Sequence, residues 1–83
     1  MFTVRAVAVA PGEDLAYDEA QWRDAIVVVR HGMIELRGVS GASRSFRRGD
    51  QLWLAGVPLR ALHNPGREPA VLVAVARGNT LPV

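Results

Sequence analysis

Residues 25–32 read Ala-Ile-Val-Val-Val-Arg-His-Gly, and this stretch decides the expected fold. Its β-branched side chains favour a strand, because they pack well on a pleated surface. The run is apolar up to Arg30, which predicts a strand that is covered on both faces, one by the core and one by something else. His31 and Gly32 give a turn signal, and the alternation in residues 33–38 predicts a second, half-buried strand. The stretch therefore predicts a β-hairpin, with His31 exposed in its turn.

The same strand–turn pattern continues on both sides of this hairpin. Pro11-Gly12, Gly49-Asp50 and Asn64-Pro65-Gly66 are strong turn signals that separate short apolar runs. We predict strands at 2–10, 15–17, 25–30, 33–38, 45–47, 51–55, 60–63 and 70–77, with a loop or one helical turn at 18–24 and a tail at 78–83. Many short strands at this spacing are typical of a sandwich or barrel, so we expect an all-β fold.

The composition of the chain predicts one small domain, residues 1–83, that needs a partner. A chain this short buries only about 60–65% of its unfolded surface. It has no Cys, so no disulfide can reinforce the core. Yet 49% of its residues are hydrophobic, and a second copy of the chain would cover the excess. We therefore expect a homodimer.

The charge and hydropathy of the chain indicate whether it binds nucleic acid or membranes. Ten Arg against eight acidic residues leave a net charge of +2, which is weak support for nucleic-acid binding. Arg44, Arg47 and Arg48 form the densest basic patch, which we interpret as a solvated hairpin face beside an inward-pointing Phe46. No apolar run approaches the ~20 residues of a membrane helix, and no signal-peptide pattern is present. We expect a cytoplasmic protein that binds neither nucleic acid nor membranes.

Two spacings connect these turn signals with a known family. Gly12-x5-Asp18-x-Ala20-x4-Ala25-x6-Gly32 has the length of the first cupin motif, and Gly49-x5-Ala55-x-Val57-x2-Arg60-x3-Asn64 has the length of the second. Over residues 12–76 the chain therefore resembles a small bacterial cupin. The resemblance implies a double-stranded β-helix, also called a jelly-roll barrel, with a pocket between its two sheets and commonly a dimeric assembly.

The positions that match the family's metal ligands carry other residues. They are Asp18, Ala20, Ala25 and Arg60. A second alignment, on Gly56-Val57-Pro58, places Leu59 instead of Arg60 at the last of them. We prefer the first alignment, because it also places Gly49 and Asn64 in register. A cupin metal requires several converging His and carboxylate ligands. Since neither alignment supplies them, we expect no metal and no other cofactor.

The resemblance would leave an empty pocket with Arg60 inside it. Arg60 would then pair with Asp18 or Asp24, bind a ligand carboxylate or phosphate with its planar fork, or extend its head to solvent. If Arg60, Leu62 and Asn64 face inward, His63 faces outward.

The leading hypothesis is a metal-independent cupin-like protein that binds a small molecule, with an anionic group at Arg60. The other candidate ligand-binding residues are Trp22, Trp53, Asn64 and Tyr17, although both Trp residues also fit a core, and Trp53 also fits a dimer interface. One alternative is a metal-free isomerase, epimerase or cyclase that uses Asp18 or Asp24 as a general base and Arg60 as the oxyanion partner. The other alternative is a dimerisation module without a ligand.

Overall fold

The structure is a computed structural model that describes residues 2–77. Within this range the chain forms eight strands and one short helix. Their bounds are β1 Phe2–Val9, β2 Asp14–Ala16, α1 Glu19–Trp22, β3 Ala25–His31, β4 Met33–Gly38, β5 Ser43–Arg47, β6 Gln51–Trp53, β7 Leu59–His63 and β8 Ala70–Arg77. Every predicted strand is present with small shifts at its ends, and residues 19–22 form a single helical turn. The predicted tail at 78–83 lies outside the described residues.

The strands form two four-stranded antiparallel sheets that pack face to face. The first sheet has the order β1-β8-β3-β6, and the second has the order β2-β7-β4-β5. Successive strands alternate between the sheets at several points, as they do when a double-stranded β-helix winds around one core. This arrangement confirms the predicted all-β fold class.

The sequence predicted a hairpin at His31 and Gly32, and this prediction is wrong. β3 pairs with β6 and β8, whereas β4 pairs with β5 and β7, so the turn carries the chain from one sheet to the other. A bulge between Val29 and His31 and the positive φ of Gly32 bend the chain out of the first sheet. The apolar inner faces of β3 and β4 thereby come to oppose each other. His31 is exposed, as predicted.

The core lies between the two inner faces. The first sheet contributes Val9, Val27, Val29, Leu52, Ala70, Leu72 and Ala74, and the second contributes Ile34, Leu36 and Leu62. Burying each of the larger aliphatic side chains contributes about 1.5–3 kcal/mol, so this core is the main source of stability. Residues 25, 27 and 29 point inward, which leaves Ile26 and Val28 on the outer face of the first sheet.

Candidate functional site

A pocket of about 590 Å³ opens between the edges of the two sheets. These edges are β5 in the second sheet and β6 in the first, which are connected by the turn at Gly49 and Asp50. The apolar walls consist of Leu36, Phe46, Leu52, Trp53, Leu54, Val57, Pro58 and Leu59, and the polar rim of Ser40, Ser43, Arg44 and Gln51. An apolar pocket with a few polar groups at its rim is the usual form of a small-molecule site.

The opposite side of the sandwich, between the edge strands β1 and β2, is closed. Trp22 of α1, which follows β2, is fully buried in the core. Arg5 of β1 lies over it, with the guanidinium carbon 4.8 Å from the centroid of the Trp22 ring. The same guanidinium donates to the backbone carbonyl of Gln21 at 2.7 Å. Trp22 therefore fills the core rather than lining the pocket, and the β5–β6 side is the open one.

Arg44 is the only charged side chain that lines this pocket among residues 2–77. It pairs across the sheet with the buried Leu36 and shares the inner face of β5 with Phe46. Its guanidinium carbon lies 5.6 Å from the centroid of the Phe46 ring, which fixes the direction of the side chain. The structure records no ion pair for Arg44 within the described range. Its donors can therefore meet an anionic group at the pocket mouth.

The interpretation of Arg44 as part of a solvated hairpin face missed this position. The signal that identifies it is the period of two along a strand. Phe46 was expected to point inward, and the residue two positions before it must then share that face. Arg44 remains exposed at the rim, because β5 is an edge strand and the pocket opens there.

Arg60 does not enter the pocket, so the expected inward orientation is corrected. In the pairing of β7 with β4, Leu59 lies opposite Gly38 and Ala61 lies opposite Arg37. Arg60 is the extra residue of a β-bulge and is exposed, whereas Leu59 lines the pocket. The shift is confined to this one extra residue. Leu62 and Asn64 beyond it are buried and point inward, as expected.

Asp18 and Asp24 are both exposed and lie outside the pocket. Asp18 caps the N-terminus of α1 by accepting a hydrogen bond from the backbone amide of Ala20 at 3.1 Å. Asp24 has a φ of 60° in the turn before β3. A general base of the expected kind depends on burial, and neither carboxylate is buried. Their placement does not favour the enzyme alternative.

Trp53 and Asn64 differ sharply in what they can offer a ligand. Trp53 is 56% exposed on the outer face of the first sheet, and it also lines the pocket from the β6 edge. Asn64 is fully buried, and its side-chain amide donates to the carbonyls of Val9 and Glu68 while its oxygen accepts from the amide of Gly66. Because these bonds occupy its hydrogen-bonding groups, Asn64 has a structural role and its expected ligand contact is corrected.

Tyr17 lies beside the pocket with an unsatisfied hydroxyl. It lines a smaller pocket of about 480 Å³ that shares Val57, Pro58 and Leu59 with the main one. Its hydroxyl is buried and has no hydrogen-bond partner among the described residues. Burial, followed by the charges of Glu19 and Asp18, raises the pKa of Tyr17 above its ordinary value. Tyr17 therefore stays protonated and can donate a hydrogen bond.

The two His residues lie apart from the pocket. His63 faces the outer surface of the second sheet, as expected, where its Nδ1 pairs with the carboxylate of Asp14. Arg37 links this pair to Glu35 through an ion pair at 2.9 Å. In residues 2–77 no group of three or more His, Asp or Glu side chains could hold a metal ion. Among the same residues no helix could span a membrane.

Comparison with known proteins gives likenesses among solved structures. No family model and no curated protein matches the chain. A Cupin 2 conserved barrel domain protein from Salinispora arenicola CNS-205 is 30% identical with a TM-score of 0.67, over 89% of this chain and 60% of that one. The Cupin_2 domain of an XRE family transcriptional regulator from Enterobacter cloacae is 20% identical with a TM-score of 0.64, over 94% of this chain and 83% of that one. The predicted cupin fold is confirmed.

Proposed function

We propose that this chain, a small cupin-like domain, is a metal-independent binding protein for a small molecule with an apolar body and an anionic end. The observation that carries the proposal is the position of Arg44 on the inner face of the second sheet, at the mouth of an otherwise uncharged pocket. The pocket volume of about 590 Å³ falls within the range of about 300–1,000 Å³ that is usual for small-molecule sites.

The chemistry of the lining supports an amphipathic ligand. Arg44 presents a planar fork that matches a carboxylate or phosphate group in bidentate geometry. Leu36, Phe46 and Leu52 offer the ligand body an apolar surface. Ser43 and Gln51 add neutral hydrogen-bonding groups at the rim, which can orient the ligand without a further charge.

The positions that match the family's metal ligands support metal independence. Asp18 and Ala20 lie on an exposed helical turn, and Ala25 is a buried residue without a donor atom. Because Arg60 is the extra residue of the bulge, the second alignment describes the last ligand position, which is then the apolar Leu59. The convergence of several donors that a metal requires is absent from these positions.

Thermal stabilisation by octanoate tests the proposal, with 1-octanol as an uncharged probe of the same length. We expect octanoate to raise the melting temperature more than octanol, since a bound ligand stabilises the folded state. Arg44→Gln should weaken octanoate binding by about tenfold or more, because a charge-assisted hydrogen bond contributes about 1.5–3 kcal/mol. Arg60→Gln is the matched control and should bind normally, and a chelator should change nothing. Loss of binding in Arg60→Gln but not in Arg44→Gln would contradict the proposal.

We also propose that the domain is a homodimer, as its size and composition predict. The observation in its favour is the set of large apolar side chains left exposed on the first sheet, among them Phe2, Val4 and Ile26. The same observation favours the second candidate function, a dimerisation module without a ligand. The octanoate experiment separates the two candidates, because only the binding protein responds to the probe.

A further inference from the structure

The outer face of the first sheet is apolar across all four of its strands. Its outward-pointing uncharged residues are Phe2, Val4, Ala6 and Ala8 from β1, Val71, Val73 and Val75 from β8, Ile26 and Val28 from β3, and Gln51 and Trp53 from β6. His31, opposite Val71, and Arg77, opposite Phe2, occupy the two ends of this face. Phe2 is 66% exposed, Val4 67%, Ile26 44% and Trp53 56%. We call these residues the apolar face.

The pairing of the strands arranges this face in continuous rows. One row runs Val4–Val75–Ile26–Trp53, and the next runs Ala6–Val73–Val28–Gln51. Neither row contains an ionisable side chain. Side chains in such rows contact their cross-strand neighbours, so the rows form one surface rather than scattered apolar residues.

The outer face of the second sheet provides the contrast within the same molecule. Its corresponding row runs Asp14–His63–Glu35, and Arg37 lies in the next row. These side chains form ion pairs with one another. The two sheets therefore differ in their outer faces although they share one core, and only the first sheet presents a face that water solvates poorly.

We infer that the apolar face is an isologous interface between two copies of this chain, and that Trp53 links this interface to the ligand pocket. The inference rests on the homodimer and the pocket proposed above. It adds the surface through which the two copies associate, and it names Trp53 as the residue through which dimerisation affects ligand binding.

A second copy is the occupant that the chemistry of the face fits. A two-fold interface requires a surface that is complementary to itself. The two central rows meet this requirement, because they contain no ionisable residue and no like charges come together when they pack on their own copy. Sheets in sandwiches pack face to face about 10 Å apart through side chains of this kind.

The area of the face is that of a small dimer interface. Strands β1, β8 and β3 have seven or eight residues and β6 has three, which gives roughly 400 Å² in projection at about 4.8 Å between strands. Two such faces packed together would remove on the order of 1,000 Å² from water, because side chains make the accessible area larger than the projected one, and this reaches the lower limit for a specific interface. Phe2 on β1 and Trp53 on β6 lie on the two edge strands of this face and supply its two large aromatic side chains.

Trp53 belongs to the interface and to the pocket at the same time. β6 is the edge strand of the first sheet, and its outward residues Gln51 and Trp53 both line the pocket. Packing of a second copy on the apolar face would hold the Trp53 indole in one position at the pocket wall. Ligand binding should therefore be tighter in the dimer, and the ligand should strengthen the dimer by the same factor.

Sedimentation equilibrium of the full chain tests the interface. We expect a dimer for the unchanged chain, and at least a hundredfold weaker dimer for Val4→Glu and for Ile26→Glu, which place a charge in the row. Val39→Glu is the matched control, because Val39 is 65% exposed but lies in the β4–β5 turn, away from the face. Circular dichroism should show that all three variants fold.

The outcomes separate the interface from the homodimer itself. A monomeric unchanged chain would overturn both proposals. A dimer that survives both face substitutions would overturn the interface and leave the homodimer of the proposed function standing. A dimer lost in Val39→Glu as well would also overturn the interface, since the effect would not depend on the apolar face.

Tryptophan fluorescence and octanoate titration test the link through Trp53. Dilution of the unchanged chain should shift its emission to longer wavelength as the Trp53 indole becomes exposed, and Trp53→Phe should abolish the shift because Trp22 stays buried. Ile26→Glu, whose residue does not line the pocket, should bind octanoate about fivefold more weakly than Val39→Glu does. Equal octanoate affinity in these two variants would overturn the link while leaving the interface intact.

Discussion

The side-chain amide of Asn64 donates to the backbone carbonyl of Val9 at 2.9 Å, across 55 positions of sequence. Val9 ends β1 in the first sheet, and Asn64 directly follows β7 in the second. The same residue binds the loop that precedes β8, through Glu68 and Gly66. Its backbone also exchanges hydrogen bonds with Gly12 and Glu13. The side chain and backbone of this one buried residue therefore connect two loops and both sheets at one end of the barrel.

Asn64→Ala should destabilise the folded protein, because Asn64 has a structural role. The substitution leaves buried backbone groups without partners, and we expect a loss of about 3 kcal/mol in the free energy of unfolding. For a domain this small that corresponds to roughly 12 °C or more in melting temperature. Urea unfolding measures this loss, with Ser45→Ala, on the exposed outer face of the second sheet, as a control that should change little. An Asn64→Ala protein of normal stability would contradict the structural role.

Gly32→Ala and Gly41→Ala separate steric clash from backbone strain. Both residues have positive φ, which costs a non-glycine residue roughly 1–2 kcal/mol. A Cβ at Gly32 would also lie 2.8 Å from the carbonyl oxygen of Pro69, whereas a Cβ at Gly41 meets nothing within 4 Å. We expect Gly32→Ala to cost about 3 kcal/mol and Gly41→Ala about 1 kcal/mol in urea unfolding. Equal costs would show that the close approach at the sheet-to-sheet turn is unimportant.

Alkaline unfolding should report on Tyr17 alone. The pKa of Tyr17 is raised above 10.0 in the folded state, so the unfolded chain ionises first as the pH rises. The free energy of unfolding is unaffected by this group below about pH 10 and falls as the pH rises through the folded pKa. The chain has no Lys, no Cys and a single Tyr. Tyr17→Phe should therefore abolish the decrease in stability that begins near pH 10, below the range in which Arg side chains titrate. An unchanged decrease would show that Tyr17 is not its cause.

Ala42→Trp and Ser45→Trp test the location of the binding site. Both residues are exposed, but Ala42 lines the pocket two positions before Arg44, whereas Ser45 lies opposite Glu35 on the outer face of the second sheet. A large indole at position 42 should obstruct the pocket mouth and weaken octanoate binding by about tenfold or more, whereas the same ring at position 45 should leave binding unchanged. Calorimetric titration measures both. Equal weakening in the two variants would place the ligand elsewhere.

The strands were predictable because turn signals and alternation are local properties. Gly49-Asp50 and Asn64-Pro65-Gly66 separate strands in the structure as they do in the sequence. The turn at Gly32 has the same composition as a hairpin turn, and only the packing of β3 on β8 shows that it joins two sheets. Pairing partners that lie far apart in the sequence leave no local pattern.

The bulge at Arg60 explains why the site was harder to predict than the fold. Because of the bulge, Asn64 keeps the position that the first alignment gives it, whereas Leu59 takes the inward position that the second alignment, on Gly56-Val57-Pro58, gives it. Each alignment was therefore correct over half of the motif. A bulge of one residue has no sequence signature at Leu59-Arg60-Ala61. Arg44, by contrast, could have been found from the alternation with Phe46, and its assignment to the solvated surface came from its charge alone.

The helical turn of α1 limits what substitution can build at the positions that match the family's metal ligands. Positions 18 and 20 are exposed at the start of this turn, whereas Trp22 of the same turn is in the core beneath Arg5. Histidines introduced at positions 18, 20 and 59 would therefore not form a metal centre, because Leu59 lines the pocket and the other two positions do not. Moving the turn would require removal of the Trp22 indole from the core, and that step alone would cost several kcal/mol, by analogy with truncation of a large core side chain at about 3–5 kcal/mol. A metal centre at these positions would thus need a rebuilt backbone in this segment as well as new side chains.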